Sequence, residues 1–176
     1  MIRHHAGRFY RFGDALITRP YMDCQNVQYA EKIFREIKGL WNDCDILIVE
    51  GEQTRLGVGN DLFQNCRSVK RILAPSIGAF EAYDQIKSAV MDKYNGELVI
   101  LALGPTATVL AADLADEGIQ ALDVGHIDVE YEWFLKRATT KEVIQGKFVN
   151  ENQDGHVVAE CDDAIYLSQI IGQVKL

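Results

Sequence analysis

The sequence predicts an α/β fold: a mainly parallel sheet flanked by helices. Three observations predict it. Four short apolar runs rich in β-branched residues are separated by segments of helical spacing, and turn-forming or polar residues follow each run. Two of the runs, 45–50 and 97–103, are almost uninterrupted in their apolar character, as strands covered on both faces are. The rhythm of strand, helix, strand, helix then calls for right-handed crossovers between parallel neighbours.

The first helix is expected over 26–41, where Ala30, Ile33, Phe34, Ile37 and Trp41 recur at helical spacing. Strands follow at 45–50 and 69–74. Ser76 is placed to cap a helix over 77–94 that turns Phe80, Ile86 and Val90 inward. After the strand at 97–103, an Ala- and Leu-rich helix over 106–117 stops at Gly118, a natural C′ residue. The fourth strand is 119–124. With no internal repeat and no linker, residues 1–176 read as a single domain.

Composition sets the outer limits. The chain is 48% hydrophobic and 25% charged, which suits a globular core and excludes a disordered or fibrous chain. Its 18 basic and 26 acidic residues leave a net charge of −8, which repels a phosphate backbone and argues against nucleic acid as a general partner. No apolar stretch approaches the roughly 20 residues that cross a bilayer, and no apolar run follows the first residues, so a cytoplasmic protein without membrane insertion is expected. Cys24, Cys44, Cys66 and Cys161 have neither disulfide-framework nor zinc spacing and read as small buried hydrophobes. His4, His5 and His156 lack partners at ligand spacing and are assigned no role.

Parallel sheets bind ligands beyond the carboxyl ends of their strands, which directs attention to loops 51–61, 104–108 and 125–132. In the first, Arg55 can fork onto a phosphate, with Gly57, Gly59 and Asn60 beside it as candidate donor-binding residues, and Glu50, Glu52 or Asp61 can act as a general base. A plain loop of turn formers, with Asn60 or Asp61 capping the next helix, explains the same residues. In the second, Gly104 and the helix start, with Thr106 and Thr108, can hold an anion, or Thr106 can simply cap the helix. Neither a P-loop nor a G-x-G-x-x-G dinucleotide fingerprint is present.

The third loop alternates polar and apolar residues from His126 to Trp133. An extended segment would put His126, Asp128, Glu130 and Glu132 on one side. A helix after Asp128 would pair Asp128 with Glu132 and send Glu130 elsewhere. Between Asp113 and Trp133 there are seven acidic residues and no Lys or Arg. Pattern alone favours an edge strand with a solvated acidic face; the alternative is a carboxylate group neutralised by a divalent ion. The pair Arg19-Pro20 reads more readily as a turn before the first helix than as a binding element.

Five ordered blocks, 18–23, 48–52, 55–63, 102–108 and 125–133, together resemble the GT-D-type bacterial glycosyltransferases. The resemblance implies a Rossmann-like fold of GT-D type. It implies transfer of a sugar, glucose from UDP-glucose, to a hydroxyl of a growing surface glycan or glycoprotein, as in glycosylation of serine-rich-repeat adhesins. It also implies Mn²⁺ or Mg²⁺ held by Asp128 and Glu130 of an Asp-x-Glu motif with His126 beside them, which reverses the preference for a solvated face. The family's N-terminal segment carries an Arg-Phe-Gly-Asp-Gly-Glu motif. Here Arg11-Phe12-Gly13-Asp14-Ala15 lies directly before Thr18-Arg19-Pro20, where the family has other sequence, and reads as a chance echo, so an N-terminally shortened chain is expected, its donor site incomplete or completed by a partner chain such as a second copy. A non-catalytic nucleotide-sugar-binding module and a metal-dependent phosphoesterase are the competing expectations.

Overall fold

The apolar run at 45–51 is buried on both faces: Ile46 and Ile48 point to one side, Leu47 and Val49 to the other, all at most 3% exposed. A strand of this kind has no wet side and must lie inside the sheet. The computed structural model, which describes residues 16–24, 26–149, 158 and 160–176, places it at the centre. The sheet contains β1 (Asp45–Gly51), β2 (Ser68–Ala74), β3 (Leu98–Ala102), β4 (Ala121–Asp123) and β5 (Ile170–Gln173). Their order is β4-β3-β1-β2-β5, and every pair is parallel.

One face packs on α1 (Val27–Gly39), the loop after β1 and α4 (Ile127–Lys136), with Phe34, Trp41, Leu62 and Trp133 filling the layer. The opposite face packs on α2 (Tyr83–Lys93) and α3 (Pro105–Asp116) through Ile86, Val90, Leu110 and Leu114. A short α5 (Ala164–Gln169) leads into β5. The sheet and its covering helices match the α/β expectation. Residues 11–15 and His4, His5 and His156 lie outside the described residues.

Several local expectations change. Ser76 does not cap a helix: its Oγ accepts the Gln53 N–H, and a 3₁₀ turn (Ala79–Ala82) begins after Gly78 before α2. Phe80 is 62% exposed rather than inward. Thr106 sits inside α3, whose N-cap is Gly104 with no side-chain hydrogen bond. The four cysteines are free and half-buried rather than buried; burial nevertheless pushes the Cys66 thiol up to about 12. Element α5 and strand β5 carry no sequence signal of their own length.

Switching direction matters for the site. The chain leaves β1 toward β2 on one side and leaves β3 toward β4 on the other. Loops after β1 and β3 therefore diverge at the carboxyl edge, the place where sheets of this kind receive ligands. Leu101, fully buried in β3, reports on this sheet: Leu101→Ala should lower unfolding free energy by about 2–5 kcal/mol in urea titrations, as deletion of core methylenes does.

Candidate functional site

The site begins with an ion pair inside the sheet. Parallel register sets Ile48 beside Arg71, so Glu50, two residues on, shares Arg71's face. Arg71 Nη1 donates to Glu50 Oε1 at 2.5 Å, with Arg71 4% exposed and Glu50 fully buried. Glu50 Oε2 accepts the Leu56 N–H (2.6 Å), and Arg71 Nη2 donates to the Leu56 carbonyl (3.0 Å). Both backbone groups of Leu56 are thereby fixed. Arg71 Nε also donates to Gln169 Oε1 of α5, and its guanidinium lies over the Tyr166 ring. Burial pushes the Glu50 carboxyl up while Arg71 and the Leu56 N–H pull it down. With both oxygens engaged and no exposure, Glu50 anchors the loop; the expectation that it receives an acceptor's proton is replaced by this role.

From Leu56 the loop turns at Gly57, whose φ of +75° suits glycine and where a Cβ would come within 2.5 Å of the Phe63 ring. Gly57, Gly59 and Asn60 line a cavity of about 400 Å³ shared with Arg71 and Tyr166. Arg55 does not face outward. It is 8% exposed and donates through Nη1 to the Gly146 carbonyl, while the Phe148 N–H bonds to the Gln53 carbonyl, so the chain around 146–148 straps the loop.

Asn60 joins this loop to α4. Its Nδ2 donates to Asp128 Oδ1 (2.7 Å) and Glu132 Oε1 (2.8 Å), while its Oδ1 accepts the Leu62 N–H. The segment His126–Trp133 is a helix with nearly every side chain covered, not a strand with a wet acidic face: Asp128, Glu130 and Glu132 are 2%, 0% and 8% exposed. As helical spacing requires, Asp128 and Glu132 share a face and Glu130 turns away. The cation that the local sequence lacks comes from Lys147, which sequence reasoning overlooked. Its Nζ meets Asp128 Oδ2 at 2.7 Å and Glu132 Oε1 at 3.1 Å, and the residue is 4% exposed. A lone basic residue directly before the apolar pair Phe148-Val149 was the available signal.

Glu130 and His126 face the 19–22 segment instead. Glu130 Oε2 accepts the N–H groups of Tyr21 and Met22 (3.0 and 2.8 Å), and Arg19 Nη2 donates to His126 Nδ1 at 2.8 Å. Thus 19–22 is a docked element rather than only a turn. Glu130 Oε1 is buried with no partner among the described residues, and burial raises that carboxyl. One orphaned oxygen does not make a divalent site: Asp128 looks toward Asn60 and Lys147, Glu130 and His126 look toward residues 19–22, and no three His, Cys, Asp or Glu group to hold an ion among the described residues. As arranged, the set His126, Asp128 and Glu130 does not fit one ion.

Of the other candidates, Asp61 is bound through Oδ2 to Lys38 (2.6 Å) and through Oδ1 to the Tyr131 hydroxyl (2.7 Å). Glu52 is exposed, with Gln173 Nε2 3.3 Å from Oε2. Gly104 is exposed at the start of α3, with φ +55° and open space around it. Thr106 is buried as a residue, and the Thr108 Oγ1 donates to Asp123 Oδ2, so the Thr108 hydroxyl is already engaged.

Comparison with known proteins shows the family and the fold. The model of the glycosyltransferase GT-D fold matches residues 2–152. The probable glycosyl transferase Gly of Streptococcus gordonii is 44% identical over 163 residues, covering 93% of this chain and 24% of that protein. Glycosyltransferase GlyD of Streptococcus pneumoniae serotype 4 is 40% identical, with 93% and 20% covered. A solved structure described as a new glycosyltransferase from Streptococcus sanguinis is 42% identical with a TM-score of 0.88, covering 93% of this chain and 61% of that one. Another, described as a highly conserved domain with a distinct glycosyltransferase fold, is 37% identical with a TM-score of 0.89, covering 98% and 62%. The chain spans about a quarter or less of the curated relatives and about three fifths of the solved ones.

The Asp61 contacts have a pH consequence. Hydrogen bonds from Lys38 and Tyr131 hold its carboxyl below the ordinary 3.8, so the stabilisation is complete above that pH and is lost as pH falls through the lower folded value. Thermal melts between pH 6 and 2 should therefore show a steeper acid loss of Tm in the native chain than in Asp61→Asn. The difference should be small because the carboxylate is half-exposed.

Proposed function

The chain belongs to the GT-D-fold glycosyltransferase family, and from that premise we propose that it transfers a sugar, glucose in the first instance, from a UDP-sugar to a hydroxyl of a bacterial surface glycan or glycoprotein. The observation that carries the reading is the junction of loop 51–61 with α4. Asn60 of the loop after β1 spans Asp128 and Glu132 of α4, and loops at the carboxyl edge of a sheet of this order are where a nucleotide donor belongs.

Each part has a physical task. The exposed Gly104 backbone and the positive dipole end of the 12-residue α3 face the donor's diphosphate; Pro105 has no N–H and the Ala107 N–H is bonded to the Gly104 carbonyl, so the dipole end rather than a row of free donors supplies the attraction. Charge grows on that diphosphate as the bond from the anomeric carbon to the phosphate oxygen breaks, so a preorganised positive end there lowers the barrier. The acceptor hydroxyl forms the new bond to the anomeric carbon and gives up its proton. Glu52 is the carboxylate suited to take it, since it is exposed at the end of β1, whereas Glu50 is sealed and Asp61 is held ionised by two donors.

The test is UDP release from a panel of UDP-sugars, with and without Mn²⁺ or Mg²⁺ and with glycan acceptors. Glu52→Gln should lower kcat by about 10²-fold or more with little change in Tm, as loss of a general base does. No UDP release from any sugar nucleotide would overturn the enzymatic reading. A UDP-dependent rise in Tm without turnover would identify a nucleotide-binding module instead.

A further inference from the structure

The Asp128–Glu132 pair is occupied by a cation that the protein itself supplies. We propose that the Lys147 ammonium is the resident counter-ion of these carboxylates, so that Lys147 and a divalent ion exclude one another at this place. Two carboxylates on one helix face, both nearly sealed from water, are costly to keep charged without a cation in contact. Lys147 Nζ meets one oxygen of each, and Asn60 Nδ2 meets one oxygen of each, so both donors bridge the pair. Both Asp128 oxygens are engaged, Oδ1 by Asn60 and Oδ2 by Lys147, so the ammonium sits where an ion bridging the two carboxylates would have to sit. An ion arriving there must displace the ammonium.

Lys147 is not delivered by chance. The Gly146 carbonyl accepts from Arg55, the Phe148 N–H is bound to Gln53, and Val149 is fully buried, so the residues on either side of Lys147 are fixed to loop 51–61 or to the core. Asn60 shares Glu132 Oε1 with the ammonium and holds Asp128 by the other oxygen, Oδ1, so the two donors clamp the same pair from two sides. Lys147 is thus a positioning residue: it fixes the carboxylates that fix Asn60, and it sets the cation requirement of the site.

Mn²⁺ alone, titrated into the whole chain and followed by the electron paramagnetic resonance of the free ion, tests this independently of the donor reading. The native chain and Lys147→Arg should bind Mn²⁺ weakly. Lys147→Met should bind at least tenfold more tightly, and adding Asp128→Asn to it should abolish the gain. Equal affinity in the native chain and Lys147→Met, whether tight or weak, overturns the proposal. Should Lys147→Met fail to fold, Asp128→Asn in the otherwise native chain decides: tight Mn²⁺ binding that this change removes overturns the proposal, and weak binding indifferent to it supports the proposal.

Discussion

Arg71 holds the site together because one side chain satisfies groups from three parts of the chain. Its guanidinium neutralises Glu50 of β1, bonds the Leu56 carbonyl of the following loop and takes Gln169 of α5. A planar fork with five donors can do this; an ammonium on the same strand could not reach three directions at once. Removing one partner of such a buried pair typically costs about 3–5 kcal/mol, chiefly because the other charge is left stranded. The loop after β1 is therefore not a slack connection. Its first turn is fixed to the sheet from below, and everything further along, Gly57, Asn60 and the contacts to α4, inherits that position.

A second polar layer lies above the first. Asn60 and Lys147 meet Asp128 and Glu132, while backbone N–H groups of Tyr21 and Met22 meet Glu130. Helix α4 consequently buries acidic residues on opposite sides, each side satisfied by a different distant segment. Buried polar groups in such number are tolerated only when their partners are in place. The remaining exception, Glu130 Oε1, is the one fully buried side-chain polar atom of the helix left without a partner among the described residues.

Burial explains which elements were legible in the sequence. Strands β1 and β3 are covered on both faces, so their apolar runs are continuous and their bounds are read to within two residues. Helix α1 has one covered face and a clear 3.6-residue period, with Asn26 capping the Tyr29 N–H. Helix starts were less legible. Ser76 and Thr106 have capping chemistry, but Ser76 found the Gln53 N–H and Thr106 fell one residue inside the first turn of α3. The four-residue β5 was missed because so short an edge strand, half of it exposed, leaves no run long enough to read.

By itself the sequence determined the layered α/β sheet, the three loops at its carboxyl edge and, through five motif blocks, the family. Only the tertiary structure decided what the acidic alternation at 126–133 means. Alternating residues over eight positions satisfy either a half-wet strand or a helix buried all round, and the choice depends on partners that lie 68 residues upstream at Asn60 and 19 residues downstream at Lys147. Local spacing cannot report a counter-charge that arrives from elsewhere in the chain. Electrostatic neutralisation of a buried carboxylate is a property of the folded neighbourhood, and that is why the roles of Glu50, Asp128 and Lys147 emerged from contacts and not from order along the chain.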